Sequence, residues 1–193
     1  MTALILASQS PRRKELLSRL GVQFEVLAAG IDESLVADEQ PLLYALRMAE
    51  EKARTVKEQV GSAVVLAADT AVVCGDNIFG KPGDNAHARS MLEALSGSTH
   101  RVISGCVLLG DDESISYHTE TCVTFVEMST RDISDYIATD EGNDKAGGYA
   151  IQGLGSQFIK SIQGSYSGVV GLPLAETRKN LIRMGIFPQL VQP

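Results

Sequence analysis

The sequence predicts an α/β fold built on a mixed, twisted sheet with flanking helices, split into two lobes. Three observations carry this. From residue 4 to residue 97, short β-rich runs alternate with stretches of helical period. Two long runs, 99–109 and 114–127, are joined directly by GDD (110–112), as a hairpin requires. The chain of 193 residues is long enough for a substantial core, in one large domain or two small lobes.

Taken in order, Leu4–Ala7 reads as a buried strand. Ser10 is a good N-cap and Pro11 suits a first helical position, so a helix is expected over 11–20 and ends before Gly21. Its buried face is Leu16, Leu17 and Leu20. A second strand lies near 24–28, and IDES (31–34) is a polar loop. Leu42, Ala45, Leu46, Ala49, Ala53, Val56 and Val60 recur at helical spacing over 41–60. AVVLAADTAVVC (63–74) is β-rich and uncharged except at Asp69, and GDN (75–77) turns it back through Ile78 and Phe79. Asp84 caps a helix that buries Ala88, Leu92 and Leu95. Within 114–127, Ile115, Tyr117, Thr119, Thr121, Val123 and Phe125 alternate with period two. Ser129 begins a helix through Ile133 and Ile137. A glycine-rich stretch over 142–155, strands near 157–162 and 166–170, and a helix from Pro173 complete the chain.

Composition excludes several classes. A hydrophobic share of 44% with 21% charged residues is that of a globular protein, not a disordered one. The net charge of −7 weighs against a nucleic-acid polymer as partner, although a local cation cluster can still hold a small anion. No stretch approaches the ~18 apolar residues of a membrane span, and no leader is expected at the N-terminus. Cys74, Cys106 and Cys122 have no metal-ligand spacing, so free thiols in a reducing, cytoplasmic setting are expected.

The first candidate site is the opening segment ASQSPRR. Arg12, Arg13 and Lys14 fall in the first turn of a helix, where the dipole is already positive and each cation costs roughly 0.3–1 kcal/mol. Two readings are open. The arginines line a solvated face paired with Glu15 or a neighbouring acid, or they join the Ser8 and Ser10 hydroxyls and the free N–H groups of a helix start in binding phosphate. The second candidate is Asp69. A carboxylate inside a long β run must be paired, hydrogen-bonded or holding a metal, unless it faces solvent at the strand end. It is the strongest single residue for binding metal or activating water.

GDNIFGKP (75–82) nearly spells a phosphate-binding loop, but Pro82 replaces the required hydroxyl and blocks the helix. Lys81 is retained as a group the hairpin could return toward Asp69, with a plain surface lysine as the competing reading. Lys52, next to the apolar stripe of its helix, either reaches the edge of a cleft or merely snorkels. Glu33 in IDES is a candidate second metal carboxylate or a solvated loop acid. In AGGYAIQG (146–153) the glycines allow close backbone approach to a ligand, or simply make turns, and the Gln152 amide suits a base edge. His87, His100 and His118 show no ligand spacing, and GSYSG (164–168) has tyrosine where a nucleophile elbow needs serine.

ASQSPRRKELL, IDES, AEEKA, AADT, GKP, LSGSTHRV, DKAGGYAIQG and GVVGLPL, in that order, resemble the Maf proteins over nearly the whole chain. The branch it resembles hydrolyses dTTP and UTP to the monophosphate and pyrophosphate. The resemblance implies that residues 1–193 form a single Maf-like domain, elongated and similar to the inosine triphosphatase group, with two lobes around a cleft. It implies a divalent cation (Mg²⁺ or Mn²⁺), a homodimer and a nucleoside triphosphate substrate. It also implies Asp69 as proton acceptor, with Arg12, Thr70 and Gln152 marking the pyrimidine branch. A sister branch acting on 7-methyl-GTP has a different residue at all three positions.

The expected mechanism is metal-assisted water attack at the α-phosphorus. Asp69 and Glu33 hold the metal, while Ser8, Arg12, Arg13, Lys52 and Lys81 bind the phosphates. Two alternatives stand beside it: a pyrophosphatase for 7-methyl-GTP or another modified nucleotide, and a non-enzymatic nucleotide-binding regulator of septum formation. On the main reading the cations crowd a positive helix end because a triphosphate is expected there.

Overall fold

The computed structural model describes residues 3–190. Its strands are β1 (Leu4–Leu6), β2 (Glu25–Val26), β3 (Val64–Cys74), β4 (Asn77–Phe79), β5 (Thr99–Leu109), β6 (Ser114–Phe125) and β7 (Ile159–Gln163). The helices are α1 (Pro11–Ser18), α2 (Pro41–Val60), α3 (Asn85–Leu95), α4 (Thr130–Ile137), α5 (Tyr166–Val170) and α6 (Leu174–Arg183). The seven strands form one sheet in the order β2-β1-β3-β5-β6-β7, with β4 paired to β3. The sheet is mixed: β1 runs parallel to both β2 and β3, whereas β3–β4 and β6–β7 are antiparallel. No helix among the described residues is long and apolar enough to cross a membrane. The three cysteines are free.

Backbone proximity divides the chain into two compact units. The first comprises residues 1–69, 104–119 and 171–193; the second comprises 70–103 and 120–170. The first is centred on β1, α2, β3 and β5, whose Ile5, Ala49, Ala53, Val65 and Val107 make one apolar cluster with Ala7, just past β1. Small residues dominate the helix side of this layer. At Gly105 a Cβ would come within 2.7 Å of the Ala45 backbone, so glycine alone lets α2 lie directly on β5. The second unit buries Leu92 and Leu95 of α3, Val123 and Phe125 of β6, and Ile133 and Tyr136 of α4 in a separate cluster. There Phe125, Tyr149 and buried His100 meet edge to face.

The caps that the sequence announces are formed. Ser10, Asp84 and Ser129 each accept from the backbone N–H three residues on, and Ser129 with Asp132 completes a capping box. One expectation fails. Residues 166–170 form helix α5, not a strand, because Ser165 Oγ takes the Gly168 N–H and Ser165 O takes the Val169 N–H. A local cap there outweighs the β preference of Val169 and Val170. The strand expected near 24–28 shrinks to two residues at the sheet edge, and β6 stops at Phe125.

Candidate active site

The site in the first unit begins where the short strand β1 ends beside the longer parallel strand β3. Leu6 pairs with Leu66, and the Ala7 N–H donates to Leu66 O at 2.8 Å. Continuing that register sets Ser8, just past β1, level with the Ala68–Asp69 segment of β3. The start of α1 therefore follows the end of β1 level with Asp69, which lies in the middle of β3, just past the stretch of β3 that pairs with β1.

At that end Ser8 is buried, and its Oγ accepts from the Ser10 N–H at 3.2 Å and from Arg13 Nη1 at 3.4 Å. Arg13 Nε donates to Gly171 O at 2.9 Å, which pins the guanidinium from its other side. Glu15 pairs instead with Arg19 at 2.6 Å, and Arg13 reaches Ser8 and the Gly171 carbonyl. Arg12 is half-buried beside it in the same turn.

Asp69 is paired. Lys52 Nζ lies 2.7 Å from Asp69 Oδ1 and 2.6 Å from Glu33 Oε1, so one ammonium joins both carboxylates. Lys52 does not sit at the edge of its helix's apolar stripe, as expected, but within it. It falls between buried Ala49 and Ala53 and is itself only 7% exposed. The buried positions 45, 48, 49, 52, 53 and 56 follow the helical repeat, and position 52 is the one charged member. A lysine there is tolerable only because two carboxylates meet it.

The Glu33 loop has no regular secondary structure, yet α2 holds it at several points. Tyr44 Oη donates to Glu33 O at 3.0 Å, and Arg47 Nη2 donates to Ser34 O at 3.1 Å. Arg47 also grips Glu39 with Nε and Nη2, both at 2.6 Å. Burial, with the Asp69 and Glu33 charges, pushes the Tyr44 phenol up to about 12, so it stays a donor across the physiological range. Tyr44, Arg47 and Glu39 escaped sequence reading. The i to i+8 spacing from Tyr44 to Lys52, which puts both on one helix face, is the signal that could have found Tyr44.

Burial pushes the Cys106 thiol on β5 up to about 12; the Arg13 guanidinium pulls it back, and the Glu176 and Asp69 carboxylates add to the rise. Ser8, Arg13, Glu33, Lys52 and Asp69, with Arg12 in the same helical turn, belong to the first unit. Thr70, Lys81 and Gln152 belong to the second: Thr70 follows Asp69 on β3, Lys81 is exposed after β4, and Gln152 is exposed on the glycine-rich turn.

The family described as Maf-like protein matches residues 3–184. A protein of Pseudoalteromonas atlantica named dTTP/UTP pyrophosphatase is 46% identical over 187 residues, covering 95% of this chain and 97% of that protein. An Anaeromyxobacter protein of the same name is 50% identical over 187 residues, covering 94% of this chain and 89% of that one. Among solved structures, protein VC0702 from Vibrio cholerae matches with a TM-score of 0.47 at 13% identity, over 97% of this chain and 99% of that chain. The chain belongs to the Maf family.

Proposed function

We propose that this protein hydrolyses pyrimidine nucleoside triphosphates, dTTP and UTP, to the monophosphate and pyrophosphate. One observation carries the reading: the helix start that follows β1, with Arg13 held on Ser8, lies level with a lysine-paired carboxylate in the middle of the adjacent strand β3. Family membership and relatives named dTTP/UTP pyrophosphatase support the substrate class.

In the reaction, a water oxygen forms a bond to the α-phosphorus as the bond to the bridging oxygen of the pyrophosphate breaks. Asp69 takes the water's proton. Lys52 orients Asp69 by its 2.7 Å contact and keeps the carboxylate aimed from β3. Ser8, Arg12 and Arg13 bind phosphate oxygens; Arg13 arrives already held by Ser8 and Gly171, so little ordering remains to be done on binding. Lys81 adds a cation for the leaving group, and Thr70 and Gln152 read the base.

The carboxylates of Glu33 and Asp69 both meet the Lys52 ammonium, at 2.6 and 2.7 Å, so two hard oxygen donors of the kind a divalent cation takes stand beside each other. Asp69 and Glu33 would hold Mg²⁺ or Mn²⁺, and such an ion supplies charge neutralisation at the phosphates. Two protein carboxylates with substrate phosphates are a usual ligand set for Mg²⁺.

The test is a product assay over dTTP, UTP, 7-methyl-GTP and purine triphosphates with Mg²⁺ or Mn²⁺. Pyrophosphate with dTMP or UMP is expected. Diphosphate with inorganic phosphate would move the attack to the terminal group. A preference for 7-methyl-GTP would overturn the pyrimidine reading, and tight binding without turnover would make the protein a nucleotide-binding regulator.

A further inference from the structure

We infer that Glu141 is a positioning residue for base discrimination, fixing the turn that carries Gln152; the inference rests on Gln152 reading the base. Residues 147–151 are buried, and Gln152 is the first exposed side chain after them. The turn is anchored on both sides of that residue. Two positions before it, the Ala150 N–H donates to Tyr136 Oη at 3.0 Å. Two positions after it, the Leu154 N–H donates to Glu141 Oε1 at 2.7 Å, and the Gly155 N–H follows to Oε2 at 3.0 Å. Tyr136 Oη itself donates to Glu141 Oε2 at 2.8 Å, which closes the ring of contacts through one carboxylate.

The anchor is rigid and close. Tyr136 stands on α4 with its ring edge to face on Phe158, 5.8 Å away. A Cβ on Gly153, the residue beside Gln152, would come within 2.0 Å of Glu141 Oε1, so the carboxylate lies directly against the turn. Burial alone pushes the Glu141 carboxyl up. The Leu154 and Gly155 N–H groups, with Tyr136 and Lys145, outweigh that and hold it below its ordinary 4.5, so it is ionised and accepts only. Three donors converge on two oxygens. An amide in its place would set an NH₂ group against one of these donors and release one side of the turn.

The test is Glu141→Gln, with Tyr136→Phe as a milder second variant that loses the Ala150 anchor. Steady-state kinetics are measured for dTTP and dATP, with thermal melting alongside. The ratio of kcat/KM for dTTP over dATP should fall roughly tenfold in Glu141→Gln, the effect of one misplaced hydrogen bond, through KM for dTTP and with kcat little changed. Tyr136→Phe should move the ratio the same way by less. In a Gln152→Ala background, Glu141→Gln should cost no further discrimination.

A lowered melting temperature with an unchanged ratio in both variants would make Glu141 merely structural and overturn the inference. So would full additivity with Gln152→Ala. A wild type that fails to distinguish dTTP from dATP would instead overturn the pyrimidine reading beneath it.

Discussion

Replacing Lys52 by methionine keeps the length and apolar stem of the side chain and removes only the charge that joins Glu33 to Asp69. The two carboxylates respond differently. The Glu33 side chain is 47% exposed, so water takes over its solvation and its loss is within the 0 to about 1 kcal/mol of a surface pair. The Asp69 side chain is 13% exposed and becomes a nearly buried charge without its cation. Breaking a buried pair from one side costs about 3–5 kcal/mol; the residual exposure of Asp69 puts this case near 3. For a chain of this size that corresponds to a fall in melting temperature of roughly 6–12 °C. Differential scanning calorimetry in EDTA measures it. Saturating Mn²⁺ should restore more of the lost stability in Lys52→Met than it adds to the wild type, because it would meet two carboxylates that no longer share an ammonium. A change under 2 °C in EDTA would refute the energetic role of the bridge. An equal response to Mn²⁺ in both proteins would refute the carboxylate pair as its holder.

Asp69→Asn should fold, since Lys52 keeps Glu33, yet lose about 10²–10⁴-fold in turnover, read as pyrophosphate release; near-normal kinetics would remove Asp69 from the chemistry. Tyr44→Phe loses the bond to Glu33 O and should raise the Mn²⁺ concentration needed for half-activation about tenfold, with melting little changed. An unaltered metal requirement would mean the loop holds Glu33 without it. His100 gives a pH signature. Burial lowers its pKa from 6.5 to about 4, so the folded protein takes up this proton later than the unfolded chain. Its stabilising effect is full above pH 6.5 and is lost as pH falls through about 4, with about 2 kcal/mol gone between pH 7.5 and 5. Urea unfolding across that range should show the slope in the wild type and a shallower one in His100→Gln; equal slopes would refute it.

The sequence made the framework of this site readable and left its supports hidden. Pro41 and Gly61 bracket α2, and a repeat of small apolar residues between them leaves little choice of face. Asp69 was legible because a charge inside a β run demands a partner, and Lys52 is that partner. What the periodicity did not reveal is that position 52 belongs to the buried stripe, since a lysine at a stripe position looks like an interruption of it. Glu141 was invisible for another reason. Its backbone partners lie 13 and 14 residues away, and only a folded turn brings them to one carboxylate. Tyr44 and Arg47 belong to the same class, because the Glu33 loop they hold is irregular and no local pattern predicts its course. Residues 166–170 went the other way: a strand is expected there, and the Ser165 hydroxyl, by accepting the Gly168 N–H, caps a short helix instead.

Gly105 carries no chemical group, yet the aim of the Lys52 ammonium is inherited from it. The helix rests on the sheet at Ala45, and Lys52 lies seven residues further on, about 10 Å along the axis. A methyl group at position 105 would act as a wedge under one end of a lever whose other end holds the charge. A substitution that seems trivial could therefore silence turnover while every side chain named in the reaction remained in place.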